Sequence, residues 1–121
     1  LDNMWKRYAR LAQATRDGVA ALGLEVFAQT PADSLTAVKV PESIDGLKFV
    51  KHLLDPYGIK VAGGQAHLKG KIFRIAHLGH FDIFDVVTVV SALEMTLADF
   101  GWEFEHGAGV SAVQRYLMNE K

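Results

Sequence analysis

Cysteine is absent from the 121 residues, and proline (3) and tryptophan (2) are scarce. Without cysteine the chain has no disulfide, no thiolate zinc site, no thiolate ligation of iron–sulfur or nickel–iron centres and no cysteine nucleophile. A domain that uses no disulfide needs no oxidising compartment, so the cytoplasm is the expected location. Neither sign of charge is in excess: 13 Lys+Arg against 14 Asp+Glu leave a formal net charge of −1. Such a balance offers no broad positive field to phosphate backbones or anionic lipid, and neither nucleic acid nor membrane is expected as a partner. No apolar run approaches the ~20 residues of a membrane span, and Leu1-Asp2-Asn3-Met4-Trp5-Lys6-Arg7 lacks the order of a secretion signal. The first residue is not methionine, which is the expectation for a processed chain or for a piece of a longer one. Also missing are a Gly-x-Gly-x-x-Gly turn, a phosphate loop, a Gly-x-Ser-x-Gly elbow and a His-Glu-x-x-His pair.

What is present reads as one α+β domain with no repeat, linker or low-complexity tract. From Met4 to Leu22 the apolar residues Trp5, Tyr8, Ala12, Val19 and Leu22 share one helical face, Lys6, Arg7, Arg10, Gln13 and Asp17 face water, and Gly23 ends the helix. Leu35 to Val40 is β-branched and closed by Pro41, which predicts a strand. Asp45 is the expected N-cap of a helix carrying Leu47, Val50, Leu53 and Leu54 and broken at Pro56. A short apolar piece follows at Ile59 to Val61, then a turn at Gly63-Gly64-Gln65 and a second strand at Lys71 to Ala76. Asp82 is the expected cap of a long helix in which Ile83, Val86, Val90, Leu93, Leu97 and Phe100 recur up to Gly101. The β-branched run Val86-Val87-Thr88-Val89-Val90 favours a strand locally, but period and length favour the helix. A last helix, Val110 to Leu117, is predicted after a Gly107-Ala108-Gly109 breaker.

These elements imply a small, mainly antiparallel sheet covered by helices on one face. In Lys71 to Ala76, alternation sends Phe73 and Ile75 to one side and Ile72, Arg74 and Ala76 to the other. With Phe73 and Ile75 under the helices, Arg74 projects from the uncovered face. Self-association through that face around Ile72, or through the helix bearing Trp5 and Tyr8, is therefore expected.

The run Ile59-Lys60-Val61-Ala62-Gly63-Gly64-Gln65, followed by Leu68-Lys69-Gly70-Lys71-Ile72-Phe73-Arg74-Ile75-Ala76-His77-Leu78-Gly79, resembles the C-terminal small domain of class V aminotransferases, the alanine–glyoxylate/serine–pyruvate type. Val38-Lys39-Val40-Pro41, the Asp45-Gly46 helix start, the helix from Asp82 and the Gly107-Ala108-Gly109-Val110 tail follow in the same order, so the likeness spans essentially the whole chain. It departs where the family commonly has glycine in place of Ala76. The resemblance implies a pyridoxal-phosphate-dependent enzyme, a homodimer, that moves an amino group between a small amino acid and a 2-oxo acid. It also implies a large domain, preceding Leu1, that carries the cofactor lysine, the ring-nitrogen aspartate and the phosphate cup. None of these motifs is in this chain, which alone is expected to be inactive and to contribute no catalytic residue.

By the same resemblance, Arg74 binds the substrate carboxylate. The chemistry suits the residue: a guanidinium is a fixed positive charge whose planar fork takes a carboxylate through two parallel hydrogen bonds. The bland alternative is a surface arginine in an ordinary salt bridge. Gly64 and Gln65 are further candidate substrate contacts, since glycine lets backbone amides approach a ligand, although these residues equally serve to turn the chain. His77, His80, Asp82 and Asp85 have metal-ligating side chains but no rigid frame, so no metal site is expected, and His77 more simply orders the loop near Arg74. His52, His67 and His106 carry no assigned role. The competing function is a stand-alone α+β module for regulation or assembly, binding an amino acid or a partner chain without chemistry.

Overall fold

Apolar and small residues at helical spacing fold the first stretch into α1 (Asp2–Ala21) in the computed structural model, which describes residues 2–27, 35–76 and 82–119. Leu11, Ala12, Ala14, Val19 and the following Leu22 are buried as the period requires. Trp5 lies outside the residues whose side chains are described. Arg10 differs from expectation: it is half-buried and its Nη2 donates to the Leu117 carbonyl at 3.0 Å, tying the first helix to the last.

The sheet has three strands, β1 (Leu35–Lys39), β2 (Ala62–Gly63) and β3 (Ile72–Ala76), in the order β1-β3-β2 with both pairings antiparallel. Val26 extends it by a bridge to Val38 on the outer side of β1. The short apolar piece at Ile59 to Val61 lies just before the paired residues: pairing falls on Ala62 and Gly63, so Gly63 is in the sheet rather than in the turn. The reversal between β2 and β3 is a 3-10 turn at Ala66–Leu68.

Asp45 caps α2 (Gly46–Leu54) by accepting from the Leu47 and Lys48 amides at 3.0 and 3.2 Å. The buried face of α2 is the expected one only in part: Leu53 is inside and Val50 packs against the core, but Leu47 and Leu54 do not turn inward. Phe49 and Leu53 are inside, at 1% and 0% exposure, while Leu47 and Leu54 are 54% and 43% exposed. Phe49 settles the phase, because its ring meets Phe73 of β3 at 5.5 Å and Phe100 at 5.6 Å.

Helix α3 (Ile83–Asp99) begins with a capping box in which Asp82 and Asp85 each accept a backbone amide of the other's end. Val86, Val89, Val90, Leu93 and Leu97 are buried along it, so packing of an apolar stripe outweighs the β preference of the valine run. Helix α4 (Ala108–Asn119) packs on α1 and α3. It starts earlier than predicted, and Gly109 lies inside it rather than breaking it. A Cβ on Gly109 would meet Val90 Cγ1 at 2.8 Å and Leu22 Cγ at 3.0 Å, so the glycine permits close approach of the helices. The buried carboxylate of Glu94 accepts from the Gly107 amide and, at 3.0 Å, from the Val110 amide, satisfying donors at the start of α4.

At the far end of α3, Asp99 Oδ2 accepts from the Tyr57 hydroxyl and lies 2.9 Å from His52 Nε2. These bonds, Tyr57's first, hold the Asp99 carboxyl below the usual carboxylate range, and the same bond raises the Tyr57 hydroxyl. A lowered native pKa favours folding above the unfolded-state value, and that contribution fades as pH falls through the native one. Asp99→Asn is therefore expected to lower the melting temperature at neutral pH. The difference from wild type should disappear at a pH below the native Asp99 pKa. A pH-independent difference in thermal melts would contradict the linkage.

Among the described residues, no helix is long and apolar enough to cross a membrane.

Candidate functional site

Strand β3 is the central strand, with Phe73 and Ile75 buried at 1% and 3% exposure beneath the helices. Arg74 stands between them on the opposite face and is half-buried, as alternation requires. Its cross-strand neighbours are both alanines, Ala37 on β1 and Ala62 on β2, so small side chains flank it on either side.

The guanidinium is held by the main chain. Arg74 Nε and Nη2 donate to the Gly63 carbonyl at 3.2 and 2.9 Å. Among the described residues no carboxylate pairs with it, so the ordinary salt bridge is not what fixes this side chain. A carbonyl orients the fork without neutralising it, leaving a formal positive charge and further N–H donors.

Gly64 adjoins the acceptor and has no room for a side chain. An added Cβ would lie 2.2 Å from the Leu68 carbonyl oxygen and 2.9 Å from Ile72 Cγ1. Its amide donates to the Ile72 carbonyl at 3.1 Å and is thereby committed to the sheet. Gln65 is exposed and precedes the 3-10 turn without capping it, and among the described residues no hydrogen bond joins it to Arg74. The structure thus brings Gly63 and Arg74 together, places Gly64 behind them as a packing position, and leaves Gln65 in solvent. The partner that sequence reading missed is the Gly63 carbonyl. A main-chain acceptor has no side-chain signature, and only the adjacent glycines hinted that backbone mattered there.

Ile72 is a second difference. It was expected on an open face, yet it is 5% exposed, covered within its own chain where the segment from Gly64 folds over the end of β3. Ile72 therefore adds no exposed apolar surface to that face. His77 and His80 lie outside the described residues, while Asp82 and Asp85 are committed to the capping box. Among the described residues no group of three or more His, Asp or Glu side chains converges as a metal site.

Pyridoxal phosphate needs an enclosed lysine for its covalent attachment. The described lysines, Lys6, Lys39, Lys48, Lys51, Lys60, Lys69 and Lys71, are all exposed. The residues described here do not by themselves fit that cofactor.

No protein-family model matches the chain. An uncharacterized aminotransferase of Methanocaldococcus jannaschii is 42% identical over 122 residues, a match that covers 99% of this chain and 31% of the relative. The serine–glyoxylate aminotransferase of Methylorubrum extorquens is 37% identical over 120 residues, covering 97% of this chain and 30% of that protein. The crystal structure of ureidoglycine–glyoxylate aminotransferase from Bacillus subtilis superposes with a TM-score of 0.94 at 29% identity, over 98% of this chain and 32% of that one. The chain spans about 30% of the length of the curated relatives it matches. By sequence and by fold, this chain is similar to one part of these aminotransferases, and a C-terminal portion of a class V aminotransferase fits the matches.

Proposed function

We propose that this chain is the substrate-carboxylate-binding domain of a pyridoxal-phosphate-dependent aminotransferase, acting on a small amino acid and a 2-oxo acid of the glyoxylate or pyruvate kind. The observation that carries this reading is Arg74: a half-buried guanidinium held by the Gly63 carbonyl and matched to no carboxylate among the described residues. Two relatives named for glyoxylate support the substrate class. The cofactor supplies the electron sink for exchange at Cα and belongs to the remainder of the enzyme, a large domain that, with a second copy of the whole, is this chain's partner. What this chain contributes is charge and direction. Arg74 fixes the carboxylate and thereby presents Cα in one orientation.

Because all the described lysines are exposed, the 121-residue chain alone is expected to form no specific adduct with pyridoxal phosphate. Borohydride reduction of the mixture followed by peptide mapping checks this. Scattered, substoichiometric labelling is the expected result, and one lysine labelled to completion would place the cofactor site here.

A further inference from the structure

We propose that Gly64 is a positioning residue for the reaction, acting through the Gly63 carbonyl to aim the Arg74 fork. The inference rests on the reading of Arg74 as the carboxylate ligand and adds how that ligand is directed. A guanidinium has two edges that take paired acceptors: a side edge, Nε–H with one Nη–H, and an end edge formed by both Nη groups. Gly63 O occupies the side edge, at 3.2 Å from Nε and 2.9 Å from Nη2. Among the described residues nothing occupies the end edge, which is left for the substrate to dock end-on.

The direction of the fork depends on where the Gly63 carbonyl sits, and β2 is only two residues long. So short an edge strand is a weak support by itself. Gly64 supplies the lock. Its amide bonds the Ile72 carbonyl at 3.1 Å, and its missing side chain lets the Leu68 carbonyl oxygen pack where a Cβ would otherwise stand, 2.2 Å away. The atoms that would have to yield to a methyl group include main-chain atoms of the 3-10 turn, so Gly64→Ala moves strand and turn apart and carries the Gly63 carbonyl with them. The side chain that changes never touches the substrate; its effect reaches it through Arg74.

The test compares propionate and propionamide as competitive inhibitors of the complete enzyme. Their affinity ratio measures recognition of a carboxylate against its neutral isostere, which a general loss of stability does not alter. Gly64→Ala is expected to reduce that preference by at least about tenfold, Arg74→Ala to reduce it at least as far, and the double variant to add nothing to Arg74→Ala. If Arg74→Ala abolishes the preference and Gly64→Ala keeps it, the positioning role is overturned while the carboxylate role of Arg74 stands. If Arg74→Ala keeps the preference, the carboxylate reading itself fails and the inference with it. Should Gly64→Ala not fold, a crystal structure of the wild-type enzyme with propionate decides. Propionate on both Nη groups, with Gly63 O still on Nε and Nη2, supports the proposal. Propionate on the Nε–Nη2 edge, or bound away from Arg74, overturns it.

Discussion

Arg74→Ala in the complete enzyme is expected to lower kcat/KM by about 2–5 kcal/mol, roughly thirty- to several-thousand-fold, the range for removing one partner of a desolvated charge pair. The size follows from what the side chain is not doing in the fold. It pairs with no carboxylate among the described residues, and its bonds run to one main-chain carbonyl, so truncating it disturbs little within this chain. The loss should fall on the amino acid and the 2-oxo acid alike, since both present the same group, and cofactor content should not change. Arg74→Lys should recover little, because an ammonium reaching for the Gly63 carbonyl has no planar fork left to offer the substrate. Steady-state kinetics on purified variants with measured cofactor occupancy check the expectation, and unchanged kcat/KM in Arg74→Ala would remove the residue from the site.

The largest expected effect on stability is at Phe49. Its side chain is 1% exposed and its ring contacts Phe73 at 5.5 Å and Phe100 at 5.6 Å, joining α2 to β3 and to the end of α3. Phe49→Ala removes apolar contact on both sides and leaves a cavity between α2, β3 and the end of α3, at about 3–5 kcal/mol. A domain of this size is typically stable by only about 5–15 kcal/mol, so the variant should be close to unfolding. Leu47→Ala on the same helix is the contrast. Leu47 is 54% exposed, and its truncation should change stability by no more than about 0.5 kcal/mol. Denaturant midpoints of the two variants check the helix phase, and a Leu47 effect equal to that of Phe49 would contradict it. Because Phe73 adjoins Arg74, loosening this cluster also loosens the strand that carries the fork.

How far the sequence alone reaches is visible in these same residues. The long valine-rich helix was legible because Val86, Val90, Leu93 and Leu97 keep one period within a 17-residue helix, enough to outweigh local β preference. The place of Arg74 was legible because a strand alternates, and flanking Phe73 and Ile75 mark the core side. The phase of α2 was legible only in part, through Leu53 and Val50. Nine residues containing Leu47, Phe49, Val50, Leu53 and Leu54 satisfy two helical faces almost equally, and only the rings of Phe73 and Phe100, distant in sequence, select one. Gly109 read as a breaker because glycine disfavours helices, whereas here Val90 and Leu22 demand the missing side chain. Ile72 read as exposed because alternation knows nothing of a segment folding back over the strand end. The clamp on Arg74 was out of reach for a related reason: its acceptor is a backbone carbonyl placed by a pairing of Ala62 and Gly63 with β3 that no local pattern announces. Resemblance to a family supplied the role proposed for Arg74, and the structure supplied the means by which its side chain is held.

The role proposed for this chain is to serve amino transfer by holding a carboxylate at Arg74. The most direct measurement follows the nitrogen itself: the complete enzyme is given 15N-alanine or 15N-serine with glyoxylate, and the products are read by mass spectrometry. 15N-glycine is expected to form in step with the 2-oxo acid of the donor, from wild type and far more slowly from Arg74→Ala. Absence of labelled glycine from the wild-type enzyme with either donor, or equal rates in wild type and Arg74→Ala, would contradict it.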